Sequence, residues 1–269
     1  MENYSTRLAM LVQARGPLCV GIDPHPGLLT QWGLAHDIAG LERFSRTVVE
    51  ALGDEIAVFK PQSAFFEAFG SRGIAVLEQV LADIRASGAL SILDAKRGDI
   101  GSTMNGYAQA YLADGSPLAA DAVTLSPFLG YESLRPALDL AQQTGRAVYV
   151  LARTSNPEGH EVQLSRPRDG SASVAQAVID RASADNAGGS DHVGLVVGGT
   201  HDDLHVDLTG FTGSILVPGI GAQGGTVSGL ATIFTAPGLK LLPTASRDVT
   251  RAGPDHEALR AAARQVGES

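Results

Sequence analysis

The segment Asp94-Ala-Lys96-Arg-Gly-Asp99 carries two carboxylates and an ammonium group that are suited to acid–base chemistry. On a β-strand, Asp94 and Lys96 lie two residues apart, so their side chains share one face. A second ammonium, Lys60, directly follows the apolar run 56–59. If the two segments are neighbouring strands, opposite charges hold one another ionised at one edge of the sheet. Such an array suits proton transfer, although a salt-bridge network or solvated loop charges would give the same residues.

A glycine-rich segment near the C-terminus, Pro218-Gly-Ile-Gly-Ala-Gln223-Gly224-Gly, is a candidate anion site. It contains Gly-x-Gly-x-x-Gly, but a dinucleotide fold places that motif in its first βαβ unit, with an acid about 20 residues later. An apolar run stands at that later position here. Backbone amides, Gln223 and the guanidinium of Arg247 instead suit a phosphate cradle. A tight turn beside a surface arginine is the alternative interpretation.

The pair His201 and His205 has the i, i+4 spacing of metal ligands on a helix. No third ligand stands in a matching place, so we interpret the segment as a solvated polar helix. The sequence therefore predicts neither a metal site nor a cofactor.

Eight short apolar runs, rich in Val, Ile and Leu, are predicted as strands buried on both faces of a parallel sheet. They are 18–22, 56–59, 90–93, 122–125, 147–151, 193–197, 215–217 and 239–242. Segments of helical periodicity fill the intervals and include 41–52, 74–84, 134–141 and 256–267. This alternation predicts an α/β fold, a single-domain (β/α)8 TIM barrel over residues 1–269. An open doubly wound sheet is the alternative.

In such a barrel, chemistry lies at the C-terminal ends of the strands. Asp23 and Lys60 both precede proline, which favours an extended conformation and supports their placement at strand ends. The loop 156–170 contains two prolines and two glycines and is the predicted mobile lid.

Charge and composition restrict the class of protein. Twenty Lys and Arg against 29 Asp and Glu give a net charge of −9 without a basic block, which argues against a nucleic-acid surface. The single cysteine excludes an internal disulfide. No apolar stretch approaches the ~20 residues of a membrane span, so we expect a soluble cytoplasmic protein.

The string Asp94-Ala-Lys96-Arg-Gly-Asp99-Ile100-Gly-Ser-Thr103 resembles the D-x-K-x-x-D-I-x-x-T signature of the orotidine 5′-phosphate decarboxylase family. Its form is similar to that of the subgroup found in mycobacteria. The resemblance covers nearly the whole predicted barrel. Its other segments are Gly21-Ile-Asp23-Pro, Phe59-Lys60-Pro, Thr154-Ser155-Asn-Pro, the glycine-rich segment and Ser246-Arg247.

This resemblance implies metal-free, cofactor-free decarboxylation of orotidine 5′-monophosphate to UMP and CO2, the last step of de novo pyrimidine synthesis. It implies that Lys96 donates the proton within an array of Lys60, Asp94, Lys96 and Asp99. Asp99, Ile100 and Thr103 would act in the partner subunit's site of a homodimer. The substrate-binding residues that it implies are Asp23, Ile100, Thr103, Ser155, Pro218, Gln223, Gly224 and Arg247.

Within those assignments, Asp23 and Thr103 of the partner subunit would bind the ribose hydroxyls. Ser155 would contact the pyrimidine, and Gln223 and Arg247 would contact the phosphate.

Two other functions are alternatives to this interpretation. Related barrel decarboxylases and aldolases that use Mg²⁺ place a carboxylate near the end of the second strand, where Lys60 would repel a cation. A non-catalytic nucleotide-binding barrel would bear the desolvation cost of the charged array without benefit.

Overall fold

Eight parallel strands close into one barrel in chain order, and β8 returns to pair with β1. The computed structural model describes residues 2–221 and 224–269. The strands are β1 (Cys19–Ile22), β2 (Val58–Pro61), β3 (Leu90–Arg97), β4 (Ala122–Leu125), β5 (Ala147–Arg153), β6 (Val193–Val197), β7 (Ser214–Pro218) and β8 (Lys240–Ala245). The predicted TIM barrel is confirmed, and the open sheet is wrong because the β1–β8 pairing leaves no free edge.

Helices cover the outside of the barrel and one of its ends. They are α1 (Tyr4–Arg15), α2 (Pro26–Gln31), α3 (Ile38–Leu52), α4 (Ser63–Glu67), α5 (Gly70–Ala86), α6 (Gly101–Leu112), α7 (Arg135–Thr144), α8 (Gly159–Gln163), α9 (Val174–Asn186), α10 (Leu230–Ile233), α11 (Arg247–Thr250) and α12 (His256–Gly267), with a 3-10 helix at Tyr131–Leu134. The four periodic segments predicted as helices lie within or overlap α3, α5, α7 and α12. None of the helices in the described residues is long and apolar enough to cross a bilayer.

Five strands extend further toward their C-terminal ends than their apolar runs predict. β2 ends at Pro61, β3 at Arg97, β5 at Arg153, β7 at Pro218 and β8 at Ala245. Each of these predicted runs ends shortly before a charged side chain or a proline. The strand itself continues as long as its backbone groups pair with the neighbouring strand. The strand residues beyond the predicted runs include Lys60, Asp94 and Lys96. The predicted and observed strands therefore differ at their C-terminal ends, where the candidate catalytic residues lie.

The N-terminal end of the barrel is closed by α1. Its Tyr4 is fully buried, and its hydroxyl lies 2.9 Å from that of Tyr149 on β5, which in turn lies 2.6 Å from Ser214 Oγ on β7. Beside it, Arg7 pairs with Asp121 at 2.6 Å. One end of the barrel is therefore sealed, and the opposite end is left for a site.

The segment with His201 and His205 is not the predicted polar helix, because residues 201–206 have no helical structure. His201 is half-buried, and its Nε2 donates to the carbonyl of Thr154 at 2.9 Å. Within the described residues, no group of three or more His, Cys, Asp or Glu side chains is arranged to hold a metal ion.

Candidate active site

The carboxyl ends of the strands surround a cavity of about 790 Å³, which we call the main cavity. Every strand, or the turn directly after it, contributes to the lining. One lining residue from each, in chain order, is Asp23, Lys60, Asp94, Thr124, Ser155, Val196, Pro218 and Ser246. The location is the one that a TIM barrel uses for catalysis.

Asp94 is the centre of a hydrogen-bonded charged cluster in this cavity. Lys60 Nζ and Gln62 Nε2 both donate to its Oδ2 at 2.9 Å. Lys96 Nζ donates to Oδ1 at 2.6 Å, and Thr124 Oγ1 donates to the same oxygen at 2.9 Å. Asp23 Oδ1 adds a second carboxylate oxygen at 4.0 Å from Lys60 Nζ. Lys60, Asp94 and Lys96 form what we call the charged triad.

The two buried members of the charged triad, Lys60 and Asp94, stay ionised. Burial raises the pKa of Asp94, but the attraction of Lys60 and Lys96 outweighs it and holds the pKa well below its ordinary value. Burial lowers the pKa of Lys60, but Asp94 and Asp23 outweigh it and raise the pKa above its ordinary value. Lys96 differs because its side chain is 45% exposed to the cavity. The buried carboxylate of Asp94 thus holds the Lys96 ammonium group where a ligand in the cavity can contact it.

The backbone at Lys96 has an unusual conformation, with a φ of +46° in the left-handed region. The pairing of β3 with β4 shifts register between Leu93 and Arg97, so Lys96 lies in an irregular stretch of strand. Thr124 Oγ1 accepts the Lys96 N–H at 2.9 Å and stabilises this stretch. Bulges and left-handed residues of this kind re-aim side chains next to active sites.

Four of the predicted substrate-binding residues line the same cavity. Asp23, Ser155, Pro218 and Arg247 are all in its lining. Asp23 Oδ1 and Ser246 Oγ are buried and have no hydrogen-bond partner in the described structure. Unsatisfied buried oxygens cost free energy, so they indicate positions where a ligand supplies the missing partner.

Other predicted residues do not join the main cavity of their own chain. Asp99 accepts the N–H of Ile100 at 2.7 Å and forms no ion pair within residues 2–221 and 224–269. Ile100 is 62% exposed, and Thr103 is also exposed. Gly224 lines small neighbouring pockets instead. Gln223 lies outside the described residues.

Several cavity residues were missed by the sequence analysis. Gln62 and Thr124 contact Asp94 directly, and His25 and Asp248 line the cavity. Thr124 is the one polar residue of the run 122–125, and Gln62 follows Lys60 by two residues, so a search of every strand end for polar residues would have found both.

The loop after β5 is held at Thr154 from two sides. Gln163 of α8 accepts the Thr154 N–H at 3.0 Å and donates to its Oγ1 at 2.6 Å, while His201 donates to its carbonyl. This places Ser155 next to an anchored residue. The mobility of 156–170, which contains α8, stays a prediction.

A model of the orotidine 5′-phosphate decarboxylase / HUMPS family matches residues 16–262. The chain belongs to this family. It is 56% identical over 268 residues to the orotidine 5′-phosphate decarboxylase of Salinispora arenicola, covering 99% of this chain and 96% of that protein. The Streptomyces coelicolor enzyme of the same name is 55% identical over 267 residues, covering 98% of this chain and 95% of that protein.

The fold agrees with that of solved family members. A Streptomyces avermitilis protein, provisionally assigned as orotidine 5′-phosphate decarboxylase, superposes with a TM-score of 0.95 at 55% identity. The match covers 100% of this chain and 94% of that one. The predicted membership of an enzyme family of decarboxylases is therefore confirmed.

Proposed function

We propose that this protein decarboxylates orotidine 5′-monophosphate to UMP and CO2 by means of its charged triad, with no metal or cofactor. The observation that carries the proposal is the half-exposed Lys96 ammonium, fixed 2.6 Å from the buried carboxylate of Asp94 at the catalytic end of the barrel. An ammonium held this way stabilises negative charge on a neighbouring carbon and supplies a proton to it.

In the proposed reaction, the bond between C6 of the pyrimidine and its carboxylate breaks, and CO2 leaves. The electron pair stays on C6, which has no adjacent electron sink. Lys96 Nζ stabilises this carbanion and then transfers a proton to C6, and solvent reprotonates the lysine. The uncatalysed reaction is slow enough that the site must lower the barrier by on the order of 20 kcal/mol.

The substrate's other groups match the rest of the lining. The orphaned oxygen of Asp23 suits a ribose hydroxyl, and Ser155 suits a polar edge of the pyrimidine. Arg247 suits the phosphate, because its planar guanidinium matches phosphate oxygens. Phosphate binding is remote from the reacting bond, so its free energy serves closure and orientation.

We also propose that the active sites are shared across a homodimer. Asp99 lies outside the lining of the cavity in its own chain, and it precedes Ile100 on the exposed segment after β3. The segment after β4 begins with Ser126, whose N–H donates to the carbonyl of Arg97 at the end of β3, and it exposes Phe128 by 78% and Leu129 by 53%. Contiguous exposed apolar side chains mark interaction surfaces. A second copy that covers them would bring Asp99, Ile100 and Thr103 to the partner subunit's cavity.

The Mg²⁺-dependent alternative is disfavoured by the donor set. Lys60 Nζ lies between Asp94 and Asp23, 2.9 and 4.0 Å from their nearest oxygens. An ammonium there supplies the positive charge that a metal would bring and repels a further cation.

The test of the proposed activity is the loss of ultraviolet absorbance of orotidine 5′-monophosphate, measured with and without EDTA. We expect equal rates in both conditions and stoichiometric UMP. No turnover would reject the proposed function, and turnover abolished by EDTA and restored by Mg²⁺ would reject the metal-free mechanism.

The phosphate assignment has its own test. Arg247→Ala is expected to lower kcat/KM by roughly two to four orders of magnitude, since remote binding free energy stabilises the transition state. Phosphite added with the dephosphorylated nucleoside is expected to restore part of the wild-type chemistry. An unchanged kcat/KM would place the phosphate elsewhere.

A further inference from the structure

Gln62 is a cavity residue that neither the charge array nor the substrate contacts predicted above include. It follows β2, and its backbone N–H donates to the carbonyl of Ile22 on β1 at 3.1 Å. On the other side, it forms a parallel bridge with Asp94 of β3. The backbone of Gln62 is therefore held between two strands, and its side chain starts from a fixed position.

The side chain of Gln62 completes the hydrogen bonding of Asp94. A carboxylate has two oxygens and about four lone-pair positions. In this structure each oxygen has one ammonium donor and one neutral donor, and the neutral donors are Thr124 on Oδ1 and Gln62 on Oδ2. The two neutral donors come from separate segments, the end of β4 and the residue after β2, so together they fix the rotation of the carboxylate plane.

We propose that Gln62 is a positioning residue for the decarboxylation, acting through Asp94. Its amide N–H holds Oδ2, so that Oδ1 stays 2.6 Å from Lys96 Nζ and aims the ammonium at the reacting carbon. This inference rests on the proposed function. It assigns Gln62 no contact with the reacting atoms.

The role of Gln62 becomes larger once substrate is bound. When Lys96 directs its ammonium toward C6, Asp94 Oδ1 shares that donor with the substrate, and Thr124 is the donor that remains entirely with Oδ1. On Oδ2, Lys60 and Gln62 remain. Without Gln62, the carboxylate rotates about its Cβ–Cγ bond under the pull of Lys60, and Lys96 loses its fixed anchor.

Two substitutions test this. Gln62→Met keeps the length of the side chain and removes the donor. Gln62→Glu replaces the amide donor with a carboxylate at hydrogen-bond distance from Asp94. This carboxylate can donate a hydrogen bond to Asp94 only when it is protonated. The matched control is Gln79→Met, since Gln79 Nε2 donates to Asp83 Oδ1 at 2.8 Å on the exposed face of α5, away from the cavity.

For Gln62→Met we expect kcat to fall about 30-fold or more, because a misplacement of about 1 Å at a catalytic group costs about 100-fold. The Kd for the product UMP and the Tm are expected to stay close to wild type. For Gln62→Glu, the ratio of its kcat to that of wild type is expected to rise as the pH is lowered from 8 to 5, because a carboxyl beside Asp94 has a raised pKa. The control is expected to leave kcat unchanged.

A kcat of Gln62→Met within about threefold of wild type would overturn the positioning role. The role would also be overturned if the ratio of the Gln62→Glu kcat to the wild-type kcat did not change with pH. A purely structural defect would give such a constant ratio. This second test holds even if Gln62→Met folds poorly. Failure of the proposed function is distinguishable, because wild-type protein would then not decarboxylate orotidine 5′-monophosphate at all.

Discussion

Lys96 combines a reactive side chain with a backbone conformation that is costly for any residue except glycine. Its φ of +46° disfavours L residues by about 1 kcal/mol, and the hydrogen bond from its N–H to Thr124 keeps it in place. The same backbone geometry gives the ammonium a 2.6 Å hydrogen bond to Asp94 and leaves the side chain 45% exposed. Strain at this residue is thus tied to its proposed role.

Substitution of Lys96 separates activity from stability. Lys96→Ala and Lys96→Gly are both expected to lose several orders of magnitude in kcat, because the proton donor is gone. Lys96→Gly is expected to be more stable than Lys96→Ala by about 1 kcal/mol in urea unfolding, because glycine adopts positive φ without strain. More than a tenth of wild-type activity in either variant would contradict the assignment of Lys96.

The shifted pKa values of Asp94 and Lys60 predict how the contribution of this pair to stability changes with pH. The pKa of Asp94 is below its ordinary 3.8, so its stabilisation is present above that pH and is lost as the pH falls toward the lowered value. The pKa of Lys60 is above its ordinary 10.5, so its stabilisation is present below that pH and is lost as the pH rises through the raised value. Between these limits the contribution is constant.

Asp94→Asn is therefore expected to lower the free energy of unfolding by about 3 kcal/mol near pH 7, because it leaves Lys60 buried with only Asp23 nearby. The difference from wild type is expected to shrink below about pH 4. Adding Lys60→Met is expected to recover part of the loss, since a buried apolar side chain needs no counter-charge. Additive losses in urea unfolding of the double variant would contradict this coupling.

At the scale of elements, the loop after β5 is positioned by a close approach to the end of β6. A Cβ atom at Gly198 would lie 2.7 Å from the backbone N and Cα of Ser155. The N–H of Gly198 also donates to the carbonyl of Arg153 at 2.7 Å. Only a residue without a side chain allows both contacts, so Gly198 sets where Ser155 stands relative to the cavity.

Gly198→Ala is expected to displace the Ser155 segment and to lower kcat/KM by about tenfold or more, since displaced contacts to substrate lose orientation. Gly27→Ala is the matched control, because a Cβ there meets nothing within 4 Å. Steady-state kinetics of both variants decide the point. Equal kcat/KM for Gly198→Ala and wild type would mean that the loop accommodates the methyl group without consequence.

At the scale of the whole molecule, the proposed shared site predicts complementation between two inactive variants. Asp99→Ala and Lys96→Ala are each expected to be nearly inactive as homodimers. In a mixed dimer, one site carries both lesions and the other carries neither. We therefore expect activity to recover toward half of wild type per heterodimer, after allowance for the mixing ratio.

The result depends on where Asp99 acts. If it serves its own subunit, every site in the mixture keeps one lesion and activity does not recover. Native mass spectrometry gives the fraction of heterodimer, so an inactive mixture that contains heterodimers would reject the shared site. The proposed decarboxylation would be unaffected by that outcome.

The sequence by itself determined a parallel α/β fold and most of the strand ends that carry chemistry, whereas the pairing of β8 with β1 decided that the sheet closes into a barrel. Eight apolar runs without polar alternation require burial on both faces, which a parallel sheet covered by helices on both sides provides. The two-residue spacing of Asp94 and Lys96 put their side chains on one face, and the 2.6 Å contact between them confirms it. Both conclusions follow from local periodicity, which every strand carries in its own residues.

Only the tertiary structure decided which other groups reach Asp94. Gln62 and Thr124 are 32 and 30 residues away in sequence, and their contacts depend on the register of β2, β3 and β4 in the closed barrel. The left-handed backbone of Lys96 arises from an irregular pairing of β3 with β4, and the turn after it carries Asp99 out of its own cavity. Such contacts are set by strand register and barrel closure, which involve distant segments together and leave no periodic pattern in either one.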